Sequence, residues 1–318
     1  MSEKESPDIP WERKTIEKIL LSSIREQQRA RRWNIFFRLL IIGYLIALLV
    51  IALSDGFMDS PVHTGNHTAV IDIDDVIASE EIGISADNVL KGVKAAYKSK
   101  GTKGIVLRIN SPGGSPVQSA RIFDGVKRLK QQHSSIPVYA VIEDVGASGA
   151  YYIAAIADEI YANESSIVGS IGVRMDSFGV VDAMEKLGIE RRLLTAGEHK
   201  GFLDPFQPIN AADVTHVQQL LDDIHEQFID VVKTGRGDKL KDDPAIFSGF
   251  VWTGEQAVDL GLVDELASSS YVAREVIGAE TIVDYTPAED LLEKFSKRLG
   301  TALGRGLGEV LGVDSQLR

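Results

Sequence analysis

The sequence predicts an α/β fold with largely parallel strands, preceded by one N-terminal membrane-spanning helix. Two patterns predict it. From residue 69 onward short apolar runs alternate with helical periodicities, the signature of βα units. Before that, residues 35–53 (IFFRLLIIGYLIALLVIAL) carry a single charge, Arg38, and a bilayer core needs about 20 apolar residues in a helix. Composition sets the bounds. The chain has 318 residues, 44% hydrophobic and 25% charged, as ordinary globular domains do. With 34 Lys+Arg against 46 Asp+Glu the net charge is −12, which argues against a general nucleic-acid binder. The absence of cysteine excludes disulfides, thiolate metal sites and cysteine nucleophiles.

Taken in order, residues 1–34 read as a cytoplasmic segment and 35–54 as a transmembrane helix. Residues 1–38 hold nine Lys/Arg and six Asp/Glu. Arg25, Arg29, Arg31, Arg32 and Arg38 crowd the start of the apolar run, while Asp55 and Asp59 follow it. The positive-inside rule then places the N-terminus in the cytoplasm and the bulk of the chain outside. A cleaved signal peptide is the rival, with Ala52 and Ser54 at cleavage spacing, but the n-region would be unusually long. Residues 55–68 are a polar Gly/Pro-containing linker.

Strands are expected at Ala69–Ile73, Gly104–Ile109, Pro137–Ile142, Glu159–Ala162 and Ile167–Val173, and an extended piece at Arg191–Leu194. Helices are expected at Asp87–Lys98, Ser115–Gln132, Gly149–Ala157, Val180–Leu187 and Ala211–Thr234. The last carries Val217, Leu220, Leu221, Ile224 and Phe228 on one face. The tail has Leu291, Leu292, Phe295 and Leu299 at helical spacing, as a surface helix or a contact helix would.

Chemistry is narrowed first by elimination. No H-E-x-x-H or His/Cys cluster supports a metal site. The carboxylates Asp72/Asp74/Asp75 and Glu80/Glu81 lack metal-loop spacing, and the six histidines sit in no recognisable catalytic context. Three segments remain. Gly146-Ala147-Ser148-Gly149-Ala150, between a strand and a helix start, resembles a nucleophile turn whose serine lies near helix amide donors; it reads equally as a tight small-residue turn. Asn110-Ser111-Pro112-Gly113-Gly114 suits an oxyanion hole, because paired glycines let N–H groups approach a substrate; an ordinary turn or phosphate loop would look the same. Thr195–Phe206 (TAGEHKGFLDPF) sets Lys200 among apolar and Gly/Pro residues. A neutral lysine can serve as base to a serine in acyl transfer, and a solvated loop lysine is the plain alternative.

Together these segments resemble the signal peptide peptidase A (protease IV) family of serine peptidases. The matches are RINSPGGSPVQSA (108–120), DVGASGAYYIAAIADEIYA (144–162), SIVGSIGV (166–173), TAGEHKGFLDPF (195–206), VVKTGRG (231–237) and VWTGEQAVDLGLVDEL (251–266). The resemblance implies a ClpP/crotonase-like fold of stacked ββα units over 69–278, followed by a tail at 279–318. It implies Ser148 as nucleophile, Lys200 as general base, Gly114 as oxyanion donor with Ser148 N–H or a neighbour as the second, and Ser170 orienting the lysine. No cofactor or metal is implied. Short members of the family resemble dome-shaped homo-oligomers, often octamers, whose sites join Ser and Lys from adjacent subunits. Two departures, Ser115 for a third glycine and Ala150 for the glycine of ASGG, are expected to narrow the pocket.

The function implied is a membrane-anchored Ser–Lys endopeptidase of the bacterial inner membrane, single-pass with its catalytic domain outside. It would degrade cleaved signal peptides and other unfolded apolar peptides, and bind no nucleic acid. A non-catalytic membrane scaffold on the same fold and a crotonase-type acyl-CoA enzyme are the alternatives.

Overall fold

The computed structural model describes residues 11–54, 65–79 and 82–287. The chain divides into two units, residues 1–59 with 289–318, and residues 60–288. In the first unit α1 (Trp11–Ser54) is one helix of 44 residues. Each large apolar side chain from Ile35 to Ile46 is more than half exposed. Among the described residues no helix is long and apolar enough to cross a membrane; the side chains of 48–54, which complete the apolar run, lie outside the description.

The second unit is built on β1 (His67–Asp74), β2 (Thr102–Ser111) and β3 (Val138–Ala147), all parallel. Both faces of these strands are buried, as continuous β-branched runs require. On one face Ile71, Ile73, Leu107, Ile109 and Ile142 pack against α2 (Ala86–Lys98) and α3 (Pro116–Gln132). Each such side chain contributes about 1.5–3 kcal/mol by leaving water. On the other face Val70, Val106, Val141 and Tyr161 meet Val272. Helix starts are set locally. Ser85 and Ser115 cap α2 and α3, and Pro116 follows as the first helical residue, where a missing N–H costs nothing.

β3 is where the sheet branches. Its first half pairs with β4 (Glu159–Ala162) and its second half with β5 (Ile167–Gly169). β6 (Val251–Thr253) runs antiparallel along β5, and β7 (Glu265–Leu266) extends β4. The remaining helices of note are α4 (Gly149–Ala154), α5 (Val181–Leu187), α6 (Ala211–Arg236) and α7 (Gly254–Asp259). This mixed sheet with its helices fits a ClpP-like fold.

Five expectations are corrected. The strand expected to run to Val173 ends at Gly169, because Ser170 turns the backbone to φ 51°. The helix after Ser148 ends at Ala154, three residues early. Arg191–Leu194 forms no strand. His67, read as linker, is fully buried, its ring stacked on Tyr285 and bonded to Tyr285 and Thr102 hydroxyls. At the other end Ile282–Asp284 pairs with β1 as β8, so the folded unit runs past residue 278. Glu80, Glu81, His63 and the tail from 288 lie outside the described residues.

Candidate active site

Ser148 stands between β3 and α4, at the branch of the sheet. Its φ of 54° and ψ of −126° are rare for a residue with a side chain, and such strain persists only where surroundings impose it. Here they do. Its N–H donates to Gly169 O at 2.8 Å on β5, and its carbonyl accepts from Tyr152 N–H at 3.0 Å. One turn on, the fully buried Tyr151 donates its hydroxyl to Leu262 O at 2.7 Å. Burial holds that phenol well above its usual range, so the bond persists at any physiological pH.

Close backbone approach explains the glycines. A Cβ on Gly114 would lie 2.1 Å from Ile77 O, and one on Gly113 would meet Gly149 N and Ser148 Cβ at 2.7 and 2.8 Å. A Cβ on Gly149 would lie 2.5 Å from Ser119 Oγ and 3.4 Å from Gly114 N. The Gly114 and Gly149 amides therefore sit side by side beside the serine. Among the described residues neither N–H has a backbone acceptor. Gly149 N–H is one of the orphan donors of a helix start. Two free amides close to a hydroxyl can hold the oxyanion of acyl transfer. Ser148 N–H, one of the expected second donors, is spent on Gly169; Gly149, its neighbour, supplies the free amide.

Ser148, Gly113, Gly114, Gly149 and Ser170 line one cleft of about 1160 Å³. Ser170 is held at φ 51°, its N–H donating to Phe250 O at 2.7 Å. Of the four non-glycine residues with positive φ among the described residues, two are these serines, and a third, Leu203, lies three residues past Lys200. The two departures from the family pattern do not narrow the cleft. Ala150 is buried in the core and Ser115 caps α3; neither lines it.

Lys200 is elsewhere. No residue from 172 to 216 is buried. This arm folds on itself through Arg191–Asp204 at 3.0 Å, the Arg191 guanidinium 4.9 Å from the Phe206 ring, and His199–Asp213 at 3.2 Å. Lys200 is exposed on it and lines neither the serine cleft nor the smaller cavity within the arm. The structure thus joins three of the four expected site residues and leaves the fourth outside. Among the described residues no group of His, Asp or Glu could hold a metal ion. The sequence left the second donor open between Ser148 N–H and a neighbour, and it gave no sign of α6 as a wall of the cleft.

Comparison with known proteins places the chain among peptidases. The family model described as Peptidase family S49 matches residues 130–280. A Brucella abortus protein named Na(+)/H(+) antiporter NhaA is 46% identical over 186 residues, 58% of this chain and 25% of that protein. The chain therefore spans about a quarter of that relative's length. A protease-named protein of Methanocaldococcus jannaschii is 34% identical over 220 residues, 67% of this chain and 70% of that protein. One named as a signal peptide peptidase SppA in Enterococcus faecium is 30% identical over 202 residues, 64% of this chain and 58% of that protein. At 34% identity to a protease-named protein of which it covers 70%, and with residues 130–280 matching the family model, the chain belongs to peptidase family S49, the family of signal peptide peptidase A.

Proposed function

We propose that the chain is a membrane-anchored serine endopeptidase with a Ser148–Lys200 dyad. The observation that carries the reading is the strained Ser148 beside two unbonded amides, Gly114 and Gly149. Ser148 Oγ attacks the substrate carbonyl carbon while the neutral Lys200 amine takes its proton. The carbonyl oxygen becomes an oxyanion held by the two amides. Collapse breaks the C–N bond, and Lys200 returns the proton to the leaving amine. Water, deprotonated by Lys200, then opens the acyl ester and frees Ser148. Ser170, in the same cleft, orients the lysine. No cofactor enters.

Lys200 comes from a neighbouring copy in a homo-oligomer, an octamer by the family pattern. The exposed arm supports this: Phe178, Leu187, Leu194 and Ile209 are 82%, 73%, 96% and 76% exposed, a degree of apolar exposure that marks an interaction surface. The substrates are cleaved signal peptides and other unfolded apolar peptides, for which Val117, Tyr152 and Phe228 line the cleft. Residues 35–54 anchor the chain in the bacterial inner membrane, with 1–34 in the cytoplasm and the peptidase unit outside. The exposed apolar run of α1 supports that placement.

The test is labelling of the full chain, Ser148→Ala and Lys200→Ala with a fluorophosphonate probe, with the adduct mapped by mass. Adduct at Ser148 that requires Lys200 is expected. An assembled protein that takes no label is a scaffold, and the reading fails.

A further inference from the structure

The cleft has a feature the dyad does not use. Residues 169–171 form a three-residue bridge centred on Ser170 and bonded to Ser148, held from three directions. Gly169 O receives Ser148 N–H at 2.8 Å, and Ser170 N–H donates to Phe250 O at 2.7 Å. The third hold comes from α6, where His225 Nε2 lies 3.1 Å from Ile171 O. A carbonyl only accepts, so Nε2 carries the proton and donates.

The same stretch of α6 reaches the other serine. Phe228, three residues after His225 and therefore on the same side of the helix, packs its ring 5.2 Å from that of Tyr152. Tyr152 N–H in turn donates to Ser148 O. Ile224, Gln227 and Phe228 line the cleft itself. One turn of α6 thus contacts the supports of Ser148 and of Ser170 together. Ser170 needs such a hold: its left-handed φ of 51° relaxes toward commoner backbone unless the flanking peptides are fixed.

We propose that His225 is a positioning residue, whose bond to Ile171 O fixes the 169–171 bridge and through it the aim of the Ser170 hydroxyl. It does not touch substrate. The proposal rests on the reading of Ser170 as the group that orients the base, and it predicts that His225 matters only while Ser170 is present.

The experiment uses the full chain with a fluorogenic apolar peptide and measures kcat and KM separately. His225→Leu keeps bulk and removes the donor; expected is a fall in kcat of about tenfold, the scale of one hydrogen bond, with KM within about twofold. His225→Gln keeps an N–H at comparable reach and restores most of the rate. In a Ser170→Ala background His225→Leu costs nothing further. Should the leucine variant not fold, His225→Asn, whose amide is too short to reach Ile171, takes its place. The proposal is overturned by an unchanged kcat, by a glutamine variant as slow as the leucine one, or by losses that multiply with Ser170→Ala. Fluorophosphonate labelling of the unmodified chain separates the two levels. Label at Ser148 with kinetics indifferent to His225 sinks only this proposal, whereas no label at Ser148 sinks the peptidase reading beneath it.

Discussion

The serine segment and the lysine arm are built on opposite plans. Ser148 lies between a central strand and a helix, its backbone bonded to β5 and α4 and its glycine neighbours in contact distances that admit no side chain. The arm leaves the core after Ile171 and re-enters it at Val217 without one buried residue between. A nucleophile must be held in a fixed relation to its oxyanion donors, and one chain's fold does that here. A base needs only to arrive, and under the proposed function it arrives from the neighbouring copy. Under that proposal, half of the site is a property of the fold and half a property of assembly.

That contrast can be broken in several places. The largest effect is expected from Ser148→Ala, a loss of peptide cleavage on the order of 10⁴-fold or more, measured as kcat/KM with assembly checked by light scattering. Lys200→Ala is expected to cost nearly as much. Its sharper version mixes the two inactive proteins under conditions where subunits exchange. If base and nucleophile come from different copies, a mixed oligomer regains a fraction of the activity; complete silence after verified exchange would place both groups in one chain. Gly114→Ala follows, with a loss on the order of 10²–10³-fold as one oxyanion donor is displaced; its Cβ would press on Ile77 O. Unchanged turnover would mean that the Gly114 amide is not the donor.

Smaller effects fall on stability. Arg236, 3% exposed, donates to Gly261 O and to Asp264, each at 2.7 Å. Lys239 Nζ reaches the same carboxylate at 2.6 Å. Arg236→Leu should destabilise the peptidase unit by about 3 kcal/mol in urea unfolding, because it strips a half-buried carboxylate of a partner. Burial alone would raise the Asp264 carboxyl, but bonds from Arg236, Lys239 and Ile160 N–H outweigh it and hold it below its usual range. The sign follows. The stability it adds is complete above the unfolded value near 4 and is lost as pH falls through the lower folded value. Asp264→Asn should flatten that acid limb, and an unaltered limb would show that other carboxylates set it.

The sequence made some of this legible and hid the rest for physical reasons. β1, β2, β3, α2 and α3 were readable because each is long, and the two helices are periodic and capped by Ser85 and Ser115. Ser148 and Gly114 stood out through local chemistry, a small-residue turn between strand and helix. β6, β7 and β8 have two or three residues each, too few for a period, and form only where a neighbouring strand offers them an edge. His67 looked like linker because its partners Thr102 and Tyr285 are far away in sequence. Ser115 and Ala150 looked like pocket changes, yet which way a residue faces depends on the cap and core that receive it. Nothing near Lys200 records where its amine points, since its surroundings belong to an exposed arm. His225 carried no signal at all, because its role depends on a carbonyl 54 residues away.

The pairing of β1 with β8 has a consequence for how the domain forms. Thr68 and Ile282 are partners in the sheet, so its first and last strands close on each other. Such long-range pairing delays folding, since the ends must meet before the contact stabilises anything. A chain shortened to residue 280 would keep Ser148, Lys200 and the cleft intact on paper. It would also leave the flank of β1 bare, a row of unpaired peptide groups ready to join another molecule. The three residues Ile282–Asp284 cover that flank at Thr68, Ala69 and Val70.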